Sequence, residues 1–165
     1  MTKGRRSQGA TGTPATVALT RAGVSFVLHP YEHHADAANF GDEAAAALGV
    51  DPTQIFKTLV AEAGGELVVG VVPVAQQLDL KALAAAVGAK KAVLADPAAA
   101  ARSSGYVVGG ISPIGQRHRL RTVVDASAER FATMYVSAGK RGLQVELAPA
   151  DLVHVTGAKV APIAH

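Results

Sequence analysis

Two-residue alternation and short apolar runs fill the middle of the chain, and stretches with helical spacing flank them. "IFKTLVAEA" and "ELVVGVVP", joined by Gly64-Gly65, predict a β-hairpin. "VSFVLHPYE" predicts a strand broken by Pro30, "RTVVDAS", "ATMYVSAG" and "LQVELAP" predict three more, and "KAVLAD" and "AKVAPI" are shorter ones. Among the helical stretches, "TPATVALTRAG" has Thr13 as a cap, Pro14 at the first position and Gly23 at the end. "NFGDEAAAALGV" closes on Gly49, "LDLKALAAAVG" is capped by Asp79, Asp96 and Pro97 open "DPAAAARSS", and "ADLVHVTG" is the last helix. "GYVVGGISPIGQRHR" is too rich in Gly and Pro to be regular. Such irregular interleaving predicts a mixed α/β (α+β) class, a mixed sheet with helices around it rather than a regular doubly wound fold. With no internal repeat and no linker, residues 13–165 are expected to form one domain, preceded by a flexible basic leader at 1–12.

Lys57 interrupts this pattern. In "QIFKTLV", Ile55, Lys57 and Leu59 share one strand face and Phe56, Thr58 and Val60 the other, and both faces are largely apolar. A buried ammonium without a partner loses several pKa units to desolvation. Either Lys57 snorkels from a strand end to water, or it points into a pocket.

Composition narrows the chemistry. Of 165 residues 49% are hydrophobic and 18% charged, as in a globular protein, and with 4% aromatics and no Trp the core rests on Val, Ala and Leu. Few aromatics also argue against broad base-stacking platforms. Cationic residues exceed anionic ones by three, which suits brief contact with a polyanion. There is no cysteine, so disulfides, cysteine-based zinc sites and a protein thiol nucleophile are excluded. No apolar stretch reaches the roughly 18 residues of a membrane span, and no apolar segment follows "MTKGRRSQGATG" as in a secretory signal. A cytoplasmic protein is expected.

Several short motifs are weaker than they look. His29, His33 and His34 in "HPYEHH" lie on an extended, Pro-containing segment with no metal-binding motif, so no metal and no cofactor are expected. "GISPIG" lacks the glycine two residues after Ser112 that a nucleophile elbow needs. "SAGKRG" is no phosphate loop, because Met134 stands at the first glycine position and Arg141 where Ser or Thr should be. In "GGISPIG", Gly109 and Gly110 permit close approach to a ligand and free N–H groups there would suit an oxyanion, although an ordinary surface turn explains the same residues. Arg117, Arg119 and Arg121, with Lys140 and Arg141, form either a phosphate-backbone footprint or solvated faces.

Taken together, "TPA" at 13–15, "YEH" at 31–33, "NFGDE" at 39–43, "FKTL" at 56–59, "PVAQQLDLKALA", "GAKKAVLAD", "RSSGYVVGGISPIGQ" and "YVSAGKRGLQVEL" resemble the YbaK branch of the YbaK/EbsC family, relatives of the prolyl-tRNA synthetase editing domain. The resemblance implies a compact domain with helices around a barrel-like mixed sheet. It also implies removal of cysteine from Cys-tRNA(Pro), and from Cys-tRNA(Cys) as a second substrate, with prolyl-tRNA synthetase as a partner. A sister branch clears alanine. By motif, Lys57 becomes the central active-site lysine, while Tyr31, Thr58, Ser137 and Gln144 line the aminoacyl pocket. Gly109, Gly110, Ile111, Ser112 and Pro113 match a Gly-x-x-x-Pro loop against the ester, and Arg117, Arg119, Lys140 and Arg141 are the residues for tRNA. One position departs from the family: an aspartate is expected after "RGL", and Gln144 stands there, with Glu146 two residues on.

With no protein nucleophile in view, two routes remain: a positioned water, or attack by the substrate's own thiol, which the resemblance favours. The competing readings are a non-catalytic module of the same fold that binds tRNA or a synthetase, a deacylase of the alanine- or serine-clearing branch, and a small-ester hydrolase using Ser112 or Ser137. Oligomeric state is left open by the sequence.

Overall fold

The computed structural model describes residues 12–35 and 39–165, so the expected leader falls almost wholly outside the described residues. In chain order the elements are α1 (Pro14–Arg21), β1 (Val27–Pro30), α2 (Phe40–Leu48), β2 (Phe56–Ala63), β3 (Glu66–Pro73), α3 (Leu80–Ala86), β4 (Ala92–Leu94), α4 (Pro97–Ser104), β5 (Arg121–Asp125), a 3₁₀ turn (Ala126–Arg130), β6 (Met134–Lys140), β7 (Leu143–Leu147), α5 (Pro149–Thr156) and β8 (Lys159–Ala161). Local chemistry sets many of these ends. Thr13 Oγ1 accepts the Thr16 N–H while Thr16 Oγ1 accepts that of Thr13, a complete capping box before Pro14. Asn39 and Asp79 cap α2 and α3 through the N–H groups of Asp42 and Ala82.

Five strands run in the order β4-β2-β3-β5-β8 and three in the order β1-β7-β6. The larger sheet is mixed, with β2 antiparallel to β3 and β4, and β5 parallel to β3 and β8. Val69 and Val71 of β3 face the smaller sheet's Val136, Val145 and Leu147, with Leu19 of α1 and Leu152 of α5 completing that core. Val68 and Val72 point the other way, onto Leu83 of α3 and Ile163. Burial on both faces explains why "ELVVGVVP" is an unbroken apolar run rather than an alternating one.

Several expected strands are shorter than their patterns: "VSFVLHPYE" pairs only over Val27–Pro30, and the early end of another has a clear cause. "RTVVDAS" stops at Asp125, whose carboxylate accepts the N–H groups of Ser127, Ile163 and Ala164. Binding those three donors turns the chain into the 3₁₀ segment and holds the C-terminal strand beside β5.

The two sheets meet at one seam. Ile55 bridges Tyr135 in parallel, the Tyr135 N–H reaches the Gln54 carbonyl at 3.1 Å, and Gln54 Nε2 donates to the Thr133 carbonyl at 2.8 Å. Past this seam β2 and β6 diverge. On the far side β4 pairs only with Ala61–Ala63, and the Ala95 N–H adds a bond to Val60. Residues 56–59 therefore have β3 on one edge and, among the described residues, no strand on the other. The sheet splits there, and the split is a cavity.

Candidate active site

The cavity measures about 370 Å³, within the usual range for small-ligand sites. Its walls are β2 from Phe56 to Val60, the first turn of α2 (Asn39 to Gly41), Leu94, Ala95 and Pro97, and Val108, Gly109 and Ile111, with Ser137 and Gln144 at the base. Lys57 stands in this largely apolar setting, half-buried. Burial lowers its pKa below the ordinary lysine value, and the negative charge of Asp42 on α2 offsets part of that shift. No Asp or Glu is among the lining residues. The lysine in the apolar run is a lysine in a pocket.

Two buried polar atoms in the walls have no partner: Thr58 Oγ1 and Gln144 Oε1. Gln144 is only 7% exposed, and such an atom is costly unless a ligand donor completes it. Tyr31 lies behind Gln144, near enough for a side-chain hydrogen bond, and is not itself a lining residue. Burial raises the Tyr31 pKa, with bonds to Gly142 and Gln144 opposing that rise. Glu146, on the same face of β7, is fully engaged: His29 Nε2 sits 2.8 Å from Oε1 and Thr133 Oγ1 donates to Oε2 at 2.6 Å. It does not line the cavity, so it does not replace the carboxylate absent at Gln144.

The glycine loop divides. Gly109 has φ +90°, and a Cβ there would meet Phe40 at 2.8 Å and Arg141 at 2.9 Å. At Gly110 a Cβ would come within 2.8 Å of the Lys140 backbone, so the loop is pressed against the β6–β7 turn. The Gly110 N–H is spent on the Val107 carbonyl at 2.9 Å, whereas those of Gly109 and Ile111 make no hydrogen bond to the described residues. Ser112 and Pro113 do not reach the cavity. Ser112 is fully buried with its Oγ accepting the Ile114 N–H, and Pro113 lines a separate depression beside Arg119. Ser137 Oγ donates to the Gly110 carbonyl and accepts the Gly139 N–H, both at 3.1 Å. Neither serine is hydrogen-bonded to a histidine among the described residues, which removes support for a serine hydrolase.

The four basic residues do not converge. Arg141 lies by the cavity, its guanidinium donating from Nε and Nη2 to the Val108 carbonyl at 2.8 and 2.6 Å with Cζ 5.0 Å from the Phe40 ring centre. Lys140 is exposed on the same turn. Arg117 and Arg119 are carried elsewhere, because the Arg117 and His118 N–H groups bond to Ser104 and Ser103 and fold that segment against the end of α4. Arg119 packs against Gly157 at the end of α5. His33 pairs with Glu43 at 2.8 Å, and no group of three His, Cys, Asp or Glu suited to a metal occurs among the described residues. Phe40, Leu94 and Val108 line the site without having been singled out. Their only signal was membership of matched blocks, since an apolar residue at a pocket mouth looks in sequence like any other.

A half-desolvated lysine, unpaired neutral acceptors and free backbone N–H groups surround the sheet split, a lining whose chemistry suits a polar, carbonyl-bearing ligand, and comparison identifies the class. The chain belongs to the aminoacyl-tRNA editing domain family, which matches residues 34–155. Within it the chain groups with the YbaK/EbsC proteins. It is 40% identical over 124 residues, 74% of this chain and 75% of the relative, to EbsC of Enterococcus faecalis, whose name carries a provisional assignment as a Cys-tRNA(Pro)/Cys-tRNA(Cys) deacylase. Among solved structures, the hypothetical protein APE2540 matches with TM-score 0.83 and 27% identity over 93% of this chain and 100% of that one. A protein provisionally described as a trans-editing enzyme for prolyl tRNA synthetase matches with TM-score 0.76 and 24% identity, over 98% and 96%. This last likeness is one of fold alone. No helix among the described residues is long and apolar enough to cross a membrane.

Proposed function

We propose that the protein is a trans-editing deacylase that releases cysteine from Cys-tRNA(Pro), with Cys-tRNA(Cys) as a second substrate. The observation that carries this reading is Lys57, half-buried in a cavity with no carboxylate in its walls and no serine–histidine pair beside it. Such a site offers electrostatic stabilisation and positioning but no nucleophile of its own. A substrate that supplies its own nucleophile suits it best. The cysteine sulfur attacks the ester carbonyl of the same residue, forming a C–S bond as the C–O bond to the ribose breaks. The thiol proton ends on the ribose hydroxyl, and the released cyclic thioester is hydrolysed by water to cysteine. The Lys57 ammonium and the free N–H groups of Gly109 and Ile111 face the developing oxyanion, while Gln144 Oε1 and Thr58 Oγ1 receive the substrate's amino group. Lys140 and Arg141 meet the tRNA backbone, and prolyl-tRNA synthetase supplies the selectivity for the tRNA body that a net charge of +3 does not.

Proline tRNA charged separately with cysteine, serine, alanine or proline tests the proposal. Rapid loss of cysteine with serine spared is expected, because serine nearly matches cysteine in size and lacks the thiol. Equal loss of serine would restore water as the nucleophile. Survival of every ester would favour a binding module.

A further inference from the structure

The cavity walls carry acceptors but no anion. Gln144 lines the cavity and is 7% exposed, and its Oε1 has no hydrogen-bond partner among the described residues. Its backbone is fixed from both sides, opposite His29 of β1 and Ser137 of β6. Thr58 Oγ1, in the β2 wall, is unpartnered as well. The one charged side chain in the lining is Lys57. Each carboxylate around the cavity stands outside that lining. Asp42 acts on Lys57 from α2, Glu43 is held by His33 and the His34 N–H, and Glu146 is held by His29 and Thr133. Asp96, ahead of α4, is exposed. An N–H of the ligand completes Gln144 Oε1 whether it belongs to an ammonium, an amine or an amide. A carboxylate at that place would favour the ammonium, because hydrogen bonds between charged partners are about twice as strong as neutral ones. A neutral amide oxygen gives no such advantage, and Lys57 opposes a second cation in the same cavity. An amide N–H meets the acceptor without that opposition.

We infer that the site also takes cysteinyl esters whose α-amine is acylated, so that the protein deacylates N-acylcysteinyl-tRNA, with Gln144 as the residue that admits them. This inference rests on the proposed function and extends its substrate class. A cavity of about 370 Å³ is of the size that holds ligands larger than a cysteinyl group. Val60, Ala95 and Ala100 give it small apolar walls for an acyl cap. Acylation of the amine leaves the thiol free to react. Its sulfur bonds to the ester carbonyl carbon as the bond from that carbon to the ribose oxygen breaks. The thiol proton passes to the ribose hydroxyl, and water opens the cyclic thioester to N-acylcysteine.

The test compares proline tRNA charged with cysteine and the same tRNA bearing N-acetylcysteine with its thiol free, each rate corrected for uncatalysed ester loss. The two kcat/KM values should agree within about threefold, since each ester places an N–H on the same neutral acceptor. Gln144→Asp should separate them, favouring the free amine about tenfold or more, the range by which a bond between charged partners exceeds a neutral one. Gln144→Asn has the same length as that variant but no charge, and should leave the two esters equivalent. Where Gln144→Asp does not fold, the wild-type ratio decides the matter alone. Wild-type protein that cleaves the free ester and spares the acetylated one overturns this inference and leaves the proposed function standing. So do folded Asp and Asn variants that treat the pair alike. Survival of both esters overturns the proposed function itself.

Discussion

Lys57 carries opposite consequences for stability and activity. Its pKa is lowered in the fold, so between that lowered value and the ordinary one the unfolded chain holds a proton that the native state has lost, and stability rises with pH there. At neutral pH the buried charge is a net cost. Lys57→Met should thus raise Tm while reducing kcat/KM about 100-fold or more, as thermal unfolding and deacylation assays would report. A variant that stays folded and fully active would remove Lys57 from the chemistry. If Lys57 acts as proposed, its charge should also set the alkaline limb of the rate profile, where the ammonium is lost. Asp42→Asn removes the one carboxylate that favours the charged form and should move that limb to lower pH. Gln144→Asp adds a carboxylate to the cavity wall and should move it higher. Two shifts in the same direction would contradict this electrostatic account. At this scale the sequence was informative where chemistry is unusual: a lysine between apolar neighbours stands out, and so does Gln144 against its family pattern. It was silent on Ser112, because a serine turned into the core and one turned into a pocket read alike.

At the scale of elements, what positions the site is mostly backbone. Capping and turn residues made nearly every helix boundary legible, from Thr13 and Pro14 to the left-handed Gly49 and Gly157. Thr13 does more than cap, since its hydroxyl also donates to the Ala138 carbonyl and ties α1 to β6. Thr13→Ala should lower stability by about 1–2 kcal/mol, combining a lost cap with a lost tertiary hydrogen bond, and denaturant unfolding should show the loss at unchanged m. Gly110→Ala belongs to a different class. Its Cβ would press on the Lys140 backbone, which cannot swing aside as a side chain does, so the loop must move away from the β6–β7 turn. A stability loss of about 1–3 kcal/mol with a larger fall in deacylation is the expected result. Neither contact was readable from sequence, because 30 positions separate Gly110 from Lys140 and 125 separate Thr13 from Ala138, and what joins them is a property of the fold. The same limit explains the basic residues: "GQRHR" and "GKRG" look alike as charge runs, and only tertiary bonds to Ser103 and Ser104 send the first away from the cavity.

For the whole molecule, the decisive feature is that the smaller sheet is covered on its second face as well. There Tyr31 and Tyr135 pack with Ala44 and Ala45 of α2 and with Ile55, and along the same face run Gln144 and Glu146. Covering polar groups in this way requires that each be satisfied or be reserved for a ligand. Glu146 is the satisfied case. Burial pushes its pKa up, but bonds from Thr133 and His29, the His29 charge and a bond with Tyr135 outweigh that and hold it below the usual carboxylate value. Gln144, two residues earlier on the same face, has an unpartnered Oε1, which the proposed function reserves for the substrate. The sign for Glu146 follows from linkage: its stabilisation is complete above the unfolded carboxylate pKa and is lost as pH falls through the lower folded value. Wild-type Tm should therefore fall on acidification below about pH 4.5, while Glu146→Gln, less stable at neutral pH, should lose less over the same interval. A parallel decline in both proteins would mean that Glu146 is not among the groups coupling the smaller sheet's stability to pH. Because this face forms the cavity base, acid should also loosen the site before the main core between the sheets gives way. Deacylation should then decline at a higher pH than far-UV circular dichroism does, with Glu146→Gln narrowing the gap.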